Sequence, residues 1–375
     1  MSALFSPVKL RALTLPNRIV VSPMCQYSAV EGRVQPWHHA HLGSLALSGA
    51  GMLVIEATAV EAIGRITPGC VGLYDEATET AMADLVRVLR SVSPMPLAIQ
   101  IGHAGRKASS GRPWEGGGLI PATAGGWAPV GPSATPITED EPSPHALSTT
   151  ELDALKERFV QAVRRADRIG FDAIELHGAH GYLLHQFLSP IANQRTDAYG
   201  GSLENRMRWP LEVFEAMRSA WPAHKPLGVR ISATDWRNDL PADERWDLPD
   251  AVIFAQRCER LGVDWIDVSS GGISPLQKIT LGPGYQVPFA EAVKQAVSVP
   301  VIAVGLITEA QQAEDIIASG KADMVALARG MLWNPRWPWH AAAQLGCSVE
   351  APRQYWRSQP REFRMLFGQT VFGQR

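Results

Sequence analysis

Eight short apolar runs punctuate the chain, and between them the hydrophobic positions recur every three or four residues. The runs are RIVVSPM (18–24), GMLVIEATAV (51–60), PLAIQIG (96–102), FDAIELHG (171–178), PLGVRISA (226–233), DWIDVSSG (264–271), PVIAVGLI (300–307) and ADMVALARG (322–330). Most are apolar through their centres, as strands covered by helices on both faces must be. The intervening segments carry helix signals. Ser148 and Glu151 have capping-box spacing, Leu152, Leu155, Phe159, Ala162, Val163, Ala166 and Ile169 share one face, and Gly170 follows as a stop. The same order recurs over 250–261 before Gly262 and over 309–318 before Gly320. Pro210, inside NRMRWPLEVFEAM, predicts a first turn or a kink.

Eight strand–helix units predict an α/β fold, a (β/α)8 TIM barrel. A doubly wound sheet would ask for GxGxxG after an early strand, and the motif is absent there. Such a barrel takes about 250 residues, so this chain has room for insertions. The largest is the Gly/Pro-rich stretch 111–147 after the third strand, beginning GRPWEGGGLIPATAGGWAPVGPSATP; loops of that length often serve as lids or binding loops. We expect one catalytic barrel over 1–345, followed by a separate C-terminal segment, 346–375.

Composition narrows the function. Of 375 residues 46% are hydrophobic, the formal net charge is −2, and no block of like charge offers a footprint for nucleic acid or an anionic membrane. GMLVIEATAV, the most apolar run, is interrupted by Glu56 and falls well short of the ~20 residues of a membrane helix. The start, MSALFSPVKL, predicts no signal peptide. Cys25, Cys70, Cys258 and Cys347 are scattered without CxxC spacing, which fits a reduced, cytoplasmic protein.

In a barrel, chemistry gathers where strands end. That rule selects Cys25 and Tyr27 after strand one, Ala57 after strand two, and Gln100, His103, Arg106 and Lys107 after strand three. It also selects the segment IELHGAHGYLLHQFLSP, with His177, His180, Tyr182 and His185. His177 and His180 could bind zinc only with a third ligand and a water; His103 is the remaining strand-end candidate, and the surrounding charges are cationic. The other reading is a pocket for a planar, anionic cofactor. Arg230, Lys107 and Gln100 would supply charge and hydrogen bonds to its ring, while Gly305 and Arg329 lie where barrel enzymes commonly cradle phosphate.

These residues resemble the old yellow enzyme family of FMN-dependent ene-reductases, in its bacterial thermophilic-like and xenobiotic reductase branch. The resemblance runs from Leu4 to about Arg357 and is carried by NRIVVSPMCQYS, GRITPGC, QIGHAGRKA, GFDAIELHGAHGYLLHQFLSP, NQRTDAYGGSLENR and GYQVPFAE. It implies noncovalent FMN, reduction by NADPH or NADH, and transfer to an activated C=C bond of an enone or a maleimide, or to a nitro-compound. Ser22, Pro23, Met24 and Cys25 would line the flavin, with Ala57, Gln100 and Arg230 against its ring. Gly305, Ala328 and Arg329 would hold the phosphate; the family's Gly-Arg is Ala328-Arg329 here. His177 and His180 would hold the substrate oxygen, Tyr182 would be the proton donor and Tyr27 a further substrate contact. APRQYWR (351–357) resembles a segment whose arginine reaches a neighbouring subunit's site, which maps onto Arg357 and implies a homodimer or a dimer of dimers. Two rivals stand beside this reading: a metal-dependent hydrolase using His103, His177 and His180, and a flavin-binding store or sensor with little turnover.

Overall fold

The structure, a computed structural model, describes residues 2–368. Eight parallel strands close into a barrel: β1 (Ile19–Val21), β2 (Met52–Ala59), β3 (Leu97–Gly102), β4 (Ala173–Gly178), β5 (Leu227–Ser232), β6 (Trp265–Ser269), β7 (Val301–Val304) and β8 (Met324–Leu327). The ring shuts where Val325, Ala326 and Leu327 pair with Ile19, Val20 and Val21. The strands are those expected from the eight apolar runs.

Alternation along each strand sorts the interior into layers. At the bottom, Val20, Met52, Val54, Ala98, Ala173, Trp265, Ile302, Met324 and Ala326 form an apolar plug. Leu10 and Leu15 complete it from an antiparallel hairpin, Val8–Leu10 with Leu13–Leu15. Two residues further up the strands stand Gln100, Glu175, Arg230 and Asp267, all buried. Two further still come His177, Ser232 and Ser269. The interior therefore changes from apolar to polar toward the C-terminal ends of the strands.

The plug depends on one small residue. Gly228 pairs with Trp265 across β5 and β6, and a Cβ at Gly228 would lie 1.9 Å from the indole. Trp265 is fully buried, with its ring N–H bonded to Glu175, so it has nowhere to move. Gly228→Val is expected to destabilise the fold by about 1–3 kcal/mol through overpacking, read as a lowered denaturation midpoint with unchanged slope.

The helix signals hold locally. The helix Thr149–Ile169 begins on Ser148, whose side chain accepts from the Glu151 N–H, and ends at Gly170 with φ 93°. Pro210 differs from the first-turn expectation, because the helix Leu203–Ala220 runs past it on both sides. Its missing N–H costs the bond to the Arg206 carbonyl, while burial of the ring and packing on Thr149–Ile169 hold the helix together. The long stretch after β3 carries two short 3-10 turns and a strand pair, Val130–Gly131 with His145–Ala146. Arg106 ties it down, donating to the carbonyls of Thr135 and Pro136 from one nitrogen and to Ile273 from another. Toward the C-terminus, Leu366 and Phe367 pack on Trp339, Ala342 and Val349. Among the described residues no helix is long and apolar enough to cross a membrane.

Candidate active site

The turn leaving β4 brings His177, His180 and Tyr182 together. The His177 and His180 ring centroids are 5.3 Å apart at 88°, and those of His177 and Tyr182 are 4.9 Å apart at 80°. This needs a sharp backbone reversal: His180 has φ 59° and Gly181 φ 72°. The reversal presses against Gly272 after β6, where a Cβ on Gly181 would lie 2.0 Å from the Gly272 carbonyl oxygen. A side chain at Gly181 would push the two backbones apart. The His180 N–H donates to Ser232 Oγ at 2.9 Å, which fixes the turn from β5.

The histidines sort themselves by their partners. His177 Nδ1 accepts from the Ala179 N–H at 3.3 Å, so its proton lies on Nε2 and can be offered to a ligand. His180 Nε2 pairs with Ser269 Oγ at 2.7 Å, closer than the Gln286 amide oxygen, which lies 3.4 Å from the same hydroxyl; when the hydroxyl donates along the shorter contact, the His180 proton lies on Nδ1. Burial, and after it the positive charge of Arg230, holds both imidazoles well below their usual pKa, and each therefore remains neutral. Nitrogen NMR of the ring atoms is expected to show two neutral tautomers down to about pH 6, where an ordinary histidine is largely protonated; a cationic signal there would contradict the assignment. His185 is structural: it accepts from the Gly181 N–H and bonds Asp235. His103 is likewise engaged, by Glu61 at Nε2 and the Gly105 N–H at Nδ1. Among the described residues no three His, Cys, Asp or Glu side chains gather as metal ligands.

Below the histidines lies a charged layer. Arg230 Nε is 3.3 Å from Asp267, and Glu175 accepts from the Gln100 amide at 2.8 Å and from the Trp265 ring at 3.0 Å. Burial first, then the Asp267 charge, pushes the Glu175 carboxyl up to about 7. The Gln100 amide nitrogen is thus committed downward. Lys107, expected beside Arg230 and Gln100 against a ring, stands elsewhere: its ammonium lies 5.1 Å above the centre of the Tyr182 ring. The turn after β3 carries it away from the barrel axis.

The rim comes from the remaining strand ends. Pro23, Met24, Cys25 and Tyr27 are half-buried after β1, as is Ala57, which lies within the register shift between Ile55 and Thr58 in β2. Cys25 meets the Cys70 thiol, and that neighbour together with burial raises its pKa, so it stays a neutral thiol. Tyr27 adopts φ 53°; its ring meets Trp114 at 5.7 Å, and Arg112 donates to its carbonyl. Trp114 is 67% exposed and covers Tyr27 from the long stretch after β3. Trp114 and Ser269 were not singled out from the sequence. The stretch was marked as a binding loop, but no period identifies which of its residues turns inward, and SSGG alone does not single out one serine. Across the mouth, Gly305 has φ 120°, and a Cβ there would sit 2.7 Å from the Gln286 amide. Ala328 has φ −104°, so its side chain brings no left-handed strain, and Arg329 beside it is exposed. Arg357 lies exposed on the short turn Arg353–Ser358.

Ser22 Oγ, a buried hydroxyl, has no hydrogen-bond partner, and Arg230 Nε faces Asp267 at 3.3 Å as an ion pair without a well-directed hydrogen bond. Ser22 directly follows β1, and the Arg230 guanidinium stands in the layer beneath the mouth, so a polar, electron-rich ring there would meet a free hydroxyl and a positive charge. With Gly305 in a left-handed turn after β7 and an exposed Arg329 after β8, the donors fit a planar group with a phosphate tail, as in FMN.

The profile of the NADH:flavin oxidoreductase / NADH oxidase family matches residues 3–347. An NADPH dehydrogenase of Geobacillus thermodenitrificans is 41% identical over 358 residues, covering 95% of this chain and 98% of its own. An NADH:flavin oxidoreductase of Gibberella zeae is 43% identical over 367 residues, covering 93% and 87%. Among solved structures, morphinone reductase in complex with tetrahydroNAD superposes with a TM-score of 0.73 at 28% identity, covering 96% of this chain and 93% of its own.

Proposed function

Because this chain belongs to the NADH:flavin oxidoreductase / NADH oxidase family, and is thus an FMN-dependent, NAD(P)H-consuming oxidoreductase of the old yellow enzyme type, we propose that it reduces activated C=C bonds, with Tyr182 delivering the proton. The observation that carries this reading is the convergence of two neutral imidazoles and one half-buried phenol at the mouth of the barrel.

FMN supplies the two-electron redox step, passing electrons from the nicotinamide to the acceptor. Ser22, Pro23, Met24, Cys25, Ala57, Gln100 and Arg230 would hold its ring, and Gly305, Ala328 and Arg329 its phosphate. Negative charge grows on the carbonyl oxygen of an enone as its β-carbon is reduced. His177 and His180 meet that charge with N–H donors already fixed in place by Ala179 and Ser269. The α-carbon then takes the Tyr182 proton. Burial holds the Tyr182 pKa well above its usual value, so the phenol is protonated when needed. Tyr27 and Trp114 bound the same space. Morphinone reductase has been seen with tetrahydroNAD, which supports a nicotinamide entering the same mouth here.

We place Arg357 in a neighbouring subunit's mouth, in a homodimer or dimer of dimers. It is exposed, and Arg336, stacked on both Trp339 and Tyr355, anchors the segment that carries it. Arg357→Ala is expected to raise KM for enones several-fold with kcat less affected, and a strictly monomeric protein would contradict the placement. Cytoplasmic residence is part of the reading, since all four cysteines are unpaired. The decisive test is anaerobic: the yellow protein should bleach with NADPH and regain colour on adding 2-cyclohexenone. A protein that takes up no FMN, or whose bleached form ignores enones, would sink the reading.

A further inference from the structure

We propose that Lys107 is a positioning residue for the protonation step: its ammonium is pinned over the Tyr182 ring to compensate the negative charge that remains when the phenol gives up its proton. This rests on the reading of Tyr182 as the donor. Two carbonyls pin the ammonium, those of His180 at 2.9 Å and Gly272 at 3.1 Å. Both belong to the backbone crossing where Gly181 and Gly272 meet without room for a Cβ. The charge is therefore fixed to the rigid part of the pocket, 5.1 Å from the ring centre.

The need for such a charge follows from the other neighbours of Tyr182. Burial disfavours a phenolate, and so do Cys25 and Tyr27 after β1 and Cys70 beyond β2. His177, stacked on the ring from β4, is neutral and brings no counter-charge. In the step itself, the O–H bond of Tyr182 breaks, its electron pair stays on the phenolate oxygen, and a C–H bond forms at the α-carbon. Water later returns the proton. The lysine keeps its charge throughout.

The groups facing Lys107 are Arg106 on its own turn, the neutral His177 and His180 after β4, and Tyr182; the β6 side offers only the Gly272 carbonyl. Burial, then repulsion from Arg106, lowers the Lys107 pKa to about 8. The ammonium is present below that value and lost as pH rises through it, so proton delivery should decline on the alkaline side.

The test is stopped-flow reoxidation of the reduced holoenzyme from about pH 6 to about pH 10. Two acceptors are compared: 2-cyclohexenone, which needs a proton on carbon, and menadione, whose oxygens take theirs from water. Lys107→Met should slow reoxidation by the enone at least about tenfold, abolish the alkaline decline and spare menadione. Lys107→Arg should restore most of the enone rate and move the decline to higher pH, which loss of packing alone would not do. In a Tyr182→Phe background, Lys107→Met should add nothing further. The proposal is overturned if Lys107→Met keeps the enone rate and its alkaline decline, or slows both acceptors alike. A fully active Tyr182→Phe enzyme overturns the donor reading itself, and Lys107 with it. A slow Tyr182→Phe beside a normal Lys107→Met overturns the lysine alone.

Discussion

Tyr182→Phe should slow reoxidation of the reduced enzyme by 2-cyclohexenone by about 10²- to 10⁴-fold, the usual contribution of a positioned general acid. The substitution removes one oxygen and leaves the ring in place. Packing on His177 and beneath the Lys107 ammonium should therefore survive. Reduction of the flavin by NADPH transfers no proton through this side chain, so it should stay within a few-fold of the unchanged enzyme. The loss should be confined to acceptors that need a proton on carbon. Should enone reoxidation remain fast, proton delivery belongs to another group, and the phenol is only part of the pocket wall.

The second large effect is expected at the paired imidazoles. Removing one preorganised donor at a developing oxyanion typically costs about 3 kcal/mol, or a little over 10²-fold in rate. His177→Ala should approach that loss in kcat/KM for enones, because its Nε2–H is committed to no protein acceptor once Nδ1 is taken by Ala179. His180→Ala should cost less, since the Ser269 hydroxyl and the backbone turn remain to offer polar contact. The double variant should bind phenolic ligands so weakly that their long-wavelength absorption with the flavin disappears, while FMN content is unchanged. Retention of tight phenol binding would show that the oxygen is held elsewhere.

These outcomes depend on residues whose legibility differs. The strand ends were readable because a parallel barrel leaves its strands only one polar terminus. Once the eight runs are placed, His177 and Arg230 fall at inward positions near the polar ends of their strands. The capping of Thr149–Ile169 by Ser148 and Gly170 is equally local, set by orphan backbone groups at the helix termini. The direction of Lys107 was not readable. It lies soon after β3, in the same sequence neighbourhood as Gln100, yet a short 3-10 turn sends its ammonium to carbonyls in the turns after β4 and β6. The N-terminal hairpin VKLRALTL was also silent, because its leucines become core only when a barrel stands above them.

What the chain determined by itself was the period-two and three-to-four-residue patterning, the helix stops, and the succession of apolar and then polar residues within each strand. Those depend on neighbours a few positions away. What only the tertiary structure decided was every relation between strands distant in the chain: Gly228 making space for Trp265, Gly181 meeting Gly272, Ser269 bonding His180, and Lys107 lying over Tyr182. Such contacts form when barrel closure brings separate strand ends within a few ångströms. Side-chain direction there is set by close packing and hydrogen-bond satisfaction, which no local pattern encodes.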